Sequence, residues 1–219
     1  TDSVSDGRAP GVNVLRNSGF NAFDDGNAPI NWAIEVGSAG STVVENTTDP
    51  ARGVSCLQIR NDGSTNIRLV QEINAKTQTA TRGRVRADGL YAISFLINRA
   101  NVSPSAGALE VGLFTAGGSA LSPNTFTIAH GDIGTSYALK TFIFRASLAV
   151  SSVPVYFGIK VSTAFTNGTY LNIDGLVCAE MYRNGASSPG CLIVPGATDF
   201  IKNDVMTVAI TNNGEGEIE

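Results

Sequence analysis

The chain of 219 residues carries 15 Lys and Arg against 19 Asp and Glu, for a formal net charge of −4, while Gly, Ser, Thr and Asn together supply 80 residues. A pI near 5.0 leaves no basic field for phosphate and so excludes a nucleic-acid partner. The 42% of hydrophobic residues suffice for a sizeable core and exclude global disorder.

Residues 1–12 are polar, without pattern, and read as an N-terminal arm. They hold no basic stretch followed by an apolar one, so no secretory signal is visible. Thr1 fits a chain whose initiator Met has been removed. From residue 13 onward β-branched and aromatic residues come in short runs punctuated by Gly, Asn, Asp and Pro, which is a strand pattern. Strands are predicted at Asn13–Arg16, Trp32–Val36, Thr42–Glu45, Ser55–Arg60 and Ile67–Glu72. Further runs follow at Leu90–Asn98, Leu109–Thr115, Thr125–Ile128, Leu139–Ala146, Val153–Val161 and Tyr170–Tyr182.

Two of these runs alternate clearly. Tyr91, Ile93, Phe95 and Ile97 share one face opposite Ala92 and Ser94, and Val155, Phe157, Ile159 and Val161 oppose Tyr156 and Lys160. A two-residue period with one apolar face is what a two-layer antiparallel sandwich requires. Turn signals lie between runs at Asn61-Asp62-Gly63, Asp88-Gly89, Gly117-Gly118 and Asn167-Gly168. The expectation is all-β, with eight or more strands in a sandwich over residues 13–185.

Residues 186–219 form a C-terminal extension after the linker-like Asn184–Gly190. It contains Leu192, Ile193 and Val194, a strand candidate from Val205 to Ile210, and an acidic tail. A segment this short cannot form its own core. It is expected to dock on the domain or on a neighbouring subunit through Leu192, Ile193, Val194, Val205 and Ile210. No apolar run approaches the roughly 18 residues of a spanning helix, so membrane insertion is not expected.

The chemistry-bearing residues are few. Cys56, Cys178 and Cys191 are odd in number and form no CxxC or Cys/His cluster, which argues against zinc and for buried free thiols. A disulfide involving Cys191 has no support in the spacing. His130 is the only histidine, and no nucleophile elbow accompanies it, so a Ser-His-Asp triad is not expected. Asp24, Asp25, Glu35, Glu45, Glu72, Glu110, Asp132 and Asp174 could supply the paired carboxylates of a glycosidase, but any chain of this size offers such pairs. The expectation is no catalytic residue and no enzymatic activity.

Sugar binding needs an aromatic platform with planar polar neighbours. Trp32, Tyr91 and Phe95 are expected in the core. Tyr137, Tyr156 and Tyr170 are the better candidates for exposed rings, with Arg84, in the Arg82–Arg86 basic patch, as a contact for an acidic group.

Asn13-Val14-Leu15-Arg16-Asn17-Ser18-Gly19-Phe20 followed by Trp32 resembles the opening of the carbohydrate-binding-module-like, galactose-binding-like jelly rolls related to families 4, 9 and 22. Gly53–Ile59, Leu69-Val70-Gln71-Glu72-Ile73, Gly89–Phe95 and Tyr170–Leu176 match later motifs of these domains in the same order. The resemblance implies a jelly-roll β-sandwich and raises a structural calcium, since a Glu after the Gly-Phe pair and an Asp of the closing strand help hold one in the family. Here Asn21 stands at the Glu position, and Gly175 follows Asp174 where a second Asp is common. Losing a carboxylate weakens such a site. The expectation is therefore no cofactor, with Asn21 and Asp174 the pair on which a weak calcium would sit and Asp174 otherwise bonded to the Asn17–Asn21 loop.

Such jelly rolls also occur in virion proteins of tailed bacteriophages. With its arms and ion-poor surface, the chain reads as a non-enzymatic virion protein, a capsid decoration or fibre-type jelly roll. Its expected partners are other virion proteins and copies of itself, a trimer being favoured. The alternative is a lectin-like, extracellular or tail-borne module that attaches to a surface glycan.

Overall fold

A computed structural model describes residues 13–60, 66–74, 85, 89–99, 107–146, 154–163 and 170–181. The Val205–Ile210 strand candidate, Arg84, Leu192, Ile193, Val194 and Cys191 lie outside the described residues. Ten strands are present: β1 (Ala33–Val36), β2 (Val43–Asn46), β3 (Cys56–Arg60), β4 (Arg68–Asn74), β5 (Leu90–Arg99), β6 (Ala108–Thr115), β7 (Ala120–Ala129), β8 (Ala138–Arg145), β9 (Val155–Thr163) and β10 (Tyr170–Glu180). They form two five-stranded sheets, one in the order β1-β4-β9-β6-β7 and the other β2-β3-β10-β5-β8. Neighbouring strands are antiparallel throughout. This is the jelly-roll sandwich.

The core fills the space between the sheets. Leu69, Phe157, Ile159, Val161, Val111 and Leu113 come from one inner face, and Ile59, Leu57, Ile173, Ile97, Phe95 and Tyr91 from the other. The alternation read in β5 and β9 is thus the in-out period of the sandwich. In β5, however, Ala92, Ser94, Leu96 and Asn98 on the second face are buried as well, because that face is roofed. Trp32 is a core residue, tilted on Phe20 with centroids 5.3 Å apart and edge-on to Phe157 at 6.2 Å. One open end of the sandwich is closed by Phe126 of β7 stacked on Phe142 of β8, 4.6 Å between centroids.

The predicted strand at Asn13–Arg16 is only a bridge between Asn13 and Ala179. The Asn13 side chain takes the place of a ladder. Its Oδ1 accepts from Cys178 N and Leu15 N, and its Nδ2 donates to Leu176 O. Beyond it the chain turns through left-handed Asn17 and Phe20, with φ of 45° and 48°. Asn17 holds the turn by donating to Ala22 O and Ile30 O. Gln71 of β4 then pins the whole loop: its Oε1 accepts from Arg16 N at 2.7 Å, and its Nε2 donates to Arg16 O and Asn31 O. The residues that carry the family-like pattern are therefore structural pegs.

β10 carries a bulge between Asp174 and Val177. Gly175 sits there at φ +57°, a conformation that costs an L side chain roughly 1–2 kcal/mol. The bulge turns Leu176 into the core.

Candidate functional site

The two outer faces of the sandwich differ in kind. On the β2-β3-β10-β5-β8 sheet the outward row of Gln58, Asn172 and Asn98 is buried, with Asn172 fully so. The loop after β2 and Tyr137 lie over it. Asn172 Oδ1 accepts from Asn46 Nδ2 and Gln58 Nε2, and its Nδ2 and that of Asn98 both donate to Asp49 Oδ2. The Tyr137 hydroxyl donates to Asp49 O at 2.7 Å and lies 3.4 Å from Cys56 Sγ. Burial drives the Tyr137 phenol well above its ordinary value and pushes the Cys56 thiol up to about 11. A thiol so held is no nucleophile at neutral pH. Cys178 is likewise buried and unpaired with another cysteine. At the margin of this face the half-buried Tyr170 carries the Arg60 guanidinium 5.4 Å above its ring, and Arg60 Nε donates to Gln58 Oε1. The closed polar layer holds the roof down.

Asp174 belongs to the same roof. Its Oδ2 accepts from Arg52 N and its Oδ1 from Gly175 N, so its partner is the 51–52 backbone and not the Asn17–Asn21 loop. Burial nevertheless raises its carboxyl above the ordinary value, against the pull of those amides. Asn21 Oδ1 accepts from Val54 N and Ser55 N. Asn21 and Asp174 thus pin adjacent stretches of one loop, and a calcium there would have to displace N–H donors from both. Among the described residues no three His, Cys, Asp or Glu side chains converge as a metal site would need.

The outer face of the β1-β4-β9-β6-β7 sheet is open in part: Glu35, Glu72, Ala120 and Thr127 are exposed, Tyr156, Arg68, Lys160 and Glu110 are half-buried, and Val70, Phe114, Gly112 and Gly158 along its centre are buried. The register sets its side chains in rows. One row runs Glu72, Tyr156, Phe114 and Ala120. The next runs Ala33, Val70, Gly158, Gly112 and Thr125. The third is charged: Arg68, Lys160, Glu110 and Thr127, with Glu35 of β1 beside Arg68. Arg68 Nε meets Glu35 Oε2 at 2.6 Å, and Lys160 Nζ meets Glu110 Oε2 at 3.3 Å. Arg68 also donates to Gly117 O at 3.2 Å. It can lie across the β6–β7 turn because Gly118 has no Cβ, which would fall 1.2 Å from Arg68 Nη1. Val70 and Phe114 are buried, and the Phe114 ring lies across Gly158.

Tyr156 is the half-exposed ring of this face. Partial burial, then the nearby carboxylates of Glu72 and Glu35, raise its phenol, so it stays neutral and serves as a hydrogen-bonding ring. A row of ion-paired side chains with a tyrosine beside it can hold a polar ligand: the ring takes an apolar C–H face and the charged groups take hydroxyls.

Of the residues singled out in the sequence, Tyr156 lies on the open face, Tyr137 and Asp174 in the roof, Tyr170 at its margin and Asn21 beside it. Arg84 lies outside the described residues. Sequence reading missed Arg68 and Lys160 and left Glu35, Glu72 and Glu110 undistinguished among the carboxylates. The available signal was the outward alternation of Arg68, Val70 and Glu72 against Tyr156 and Lys160. Reading it needs the register, which joins β4 to β9 across more than eighty positions of chain.

His130 opens a short 3-10 turn, His130–Asp132, and is fully buried. Burial, and then the positive Arg99, lower its imidazole below the ordinary 6.5.

No family model matches this sequence, and no curated protein matches it. Solved structures do. The enzymatically active domain of tailspike protein 4 of bacteriophage CBA120 superposes with a TM-score of 0.51 at 10% identity, over 77% of this chain and 21% of that one. An arabinose-bound α-L-arabinofuranosidase, MgGH51, gives 0.56 at 19% identity, over 78% of this chain and 27% of that one. This chain therefore spans about a quarter or less of either protein. The CBM22-1 xylan-binding domain of Paenibacillus barcinonensis Xyn10C gives 0.48 at 12% identity, over 79% and 97%. At these identities the likeness is one of fold. By fold, the chain is a jelly-roll β-sandwich.

Proposed function

We propose that this chain is a non-enzymatic, glycan-binding module of a bacteriophage virion and that the open face of the β1-β4-β9-β6-β7 sheet is its binding surface. The observation that carries the reading is the contrast between the faces: one outer sheet surface is covered by a hydrogen-bonded polar roof, while the other carries exposed Glu72 and Glu35 and half-buried Tyr156, Arg68, Lys160 and Glu110. Both cations are already held in ion pairs, Arg68 by Glu35 and Lys160 by Glu110. The solved structures of similar fold include a phage tailspike domain and an arabinose-bound enzyme, which supports a setting in attachment to polysaccharide. The extension at 186–219 supplies the contact to copies of the chain or to other virion proteins in this reading.

The test is calorimetric titration of the full chain with a panel of plant, bacterial and amino-sugar oligosaccharides. Binding in the millimolar to micromolar range is expected, weakened about tenfold or more by Tyr156→Ala and left unaltered by Ile143→Ser on the opposite sheet. Turnover of any panel member, or binding that survives Tyr156→Ala unchanged, contradicts the proposal.

A further inference from the structure

The charges of the open face are unequal in their engagement. Arg68 is held by Glu35 and Lys160 by Glu110, each across one strand. Glu72 is exposed and has no ion pair among the described residues, and it stands directly across the β4–β9 ladder from Tyr156. Side chains so paired have Cβ atoms roughly 5 Å apart. An unengaged carboxylate beside a neutral aromatic ring, with the cations of the same face already engaged, is a complement for a positive group.

We infer that the Tyr156–Glu72 end of the open face takes a sugar bearing a protonated primary amine, so that the ligand class is a de-N-acetylated amino-sugar glycan. This rests on the glycan-binding reading above. An ammonium has three N–H donors and no acceptor. It satisfies Glu72 through one donor while the ring face of Tyr156 attracts the same charge. The sugar's hydroxyls then reach the half-buried Arg68–Glu35 and Lys160–Glu110 pairs. An anionic sugar has the opposite fortune: it meets three carboxylates and two cations on this face, and it can reach a cation only by competing with Glu35 or Glu110. A neutral N-acetylated sugar keeps the stacking and loses the ion pair.

The closing experiment titrates the full chain, at mildly acidic pH, with three trisaccharides of equal length: the glucosamine trimer, its fully N-acetylated counterpart and trigalacturonate. The amine trimer is expected to bind roughly threefold to tenfold more tightly than the acetylated one, with trigalacturonate weakest. Glu72→Gln is expected to bring the ratio of the first two close to one. Because that side chain is exposed, the variant should keep its urea midpoint, which confirms that it is folded. Binding of the acetylated trimer with no preference for the amine, tightest binding of trigalacturonate, or a preference that survives Glu72→Gln overturns this inference and leaves glycan binding standing. Absence of binding to all three and to the wider panel overturns both.

Discussion

At the scale of single residues, the buried polar side chains include those that hold the roof and two whose titration burial shifts, His130 and Asp174. Asn172 is the centre of the first set, accepting from Asn46 and Gln58 and donating to Asp49. Asn172→Leu keeps the volume but strands two buried amide donors facing a hydrocarbon, so unfolding in urea should become easier by about 2–3 kcal/mol. A loss under half a kcal/mol would mean that the roof is not a closed network. His130 is the first of these two. Its imidazole is held neutral by burial, with a folded-state value below 6.5. As pH falls through 6.5 the unfolded chain gains a proton that the folded chain refuses, so stability declines from there down to the lower folded value. Asp174 works in the opposite sense, since its raised carboxyl adds stability as pH falls from its folded value toward 3.8. The contribution of His130 is isolated by comparing the urea midpoint of the native chain with that of His130→Phe, above and below pH 6.5. The native chain should lose more stability on acidification than the variant; equal losses would contradict the buried neutral imidazole.

At the scale of elements, every strand predicted between Trp32 and Tyr182 exists, because each bears a run of apolar or β-branched residues on its inner face. The failures are at the ends. Asn13–Arg16 carries strand-like residues, yet Asn13 spends its side chain on the β10 backbone and leaves no ladder to extend. β7 starts at Ala120, five residues before the predicted Thr125, since the Gly117-Gly118 turn pairs Thr115 with Ser119 and the hairpin zips from there. What no periodicity reveals is which edge strands meet across the sandwich. Phe126 and Phe142 do, on different sheets, and their stack closes one end. Phe126→Ala removes a partly buried ring from that closure and should cost about 2–3 kcal/mol in thermal or urea unfolding. A loss no larger than that of an exposed substitution such as Thr127→Ala would show that the closure contributes nothing.

At the scale of the whole molecule, the fold was legible and the site only in part. Asn17, Gln71 and Asp174 are local enough in their motifs to announce a jelly roll, and they prove to be pegs for loops rather than ligand contacts. Tyr156 could be named from its outward position in an alternating strand. Tyr137, outside any predicted strand, also reads as an exposed ring from sequence, and only the long reach of its hydroxyl to Asp49 and Cys56 makes it part of the roof. The ion pairs of Arg68 and Lys160 join strands distant in sequence, and the outward alternation gives no hint of which carboxylate each will meet. The large complement of Gly, Ser, Thr and Asn takes on meaning here too. On the open face, Gly158, Gly112 and Thr125 form a row of small residues beside the charged row of Arg68, Lys160 and Glu110.

The most direct measurement is backbone-amide chemical-shift mapping by NMR during titration of the full chain with the glucosamine trimer. Perturbations should gather at Arg68–Glu72, Glu110–Phe114 and Tyr156–Lys160, with the roof over Asn172 silent. Perturbations centred on Asn46–Arg60 and β8, or none at saturating ligand, would contradict the assignment of the open face as the binding surface.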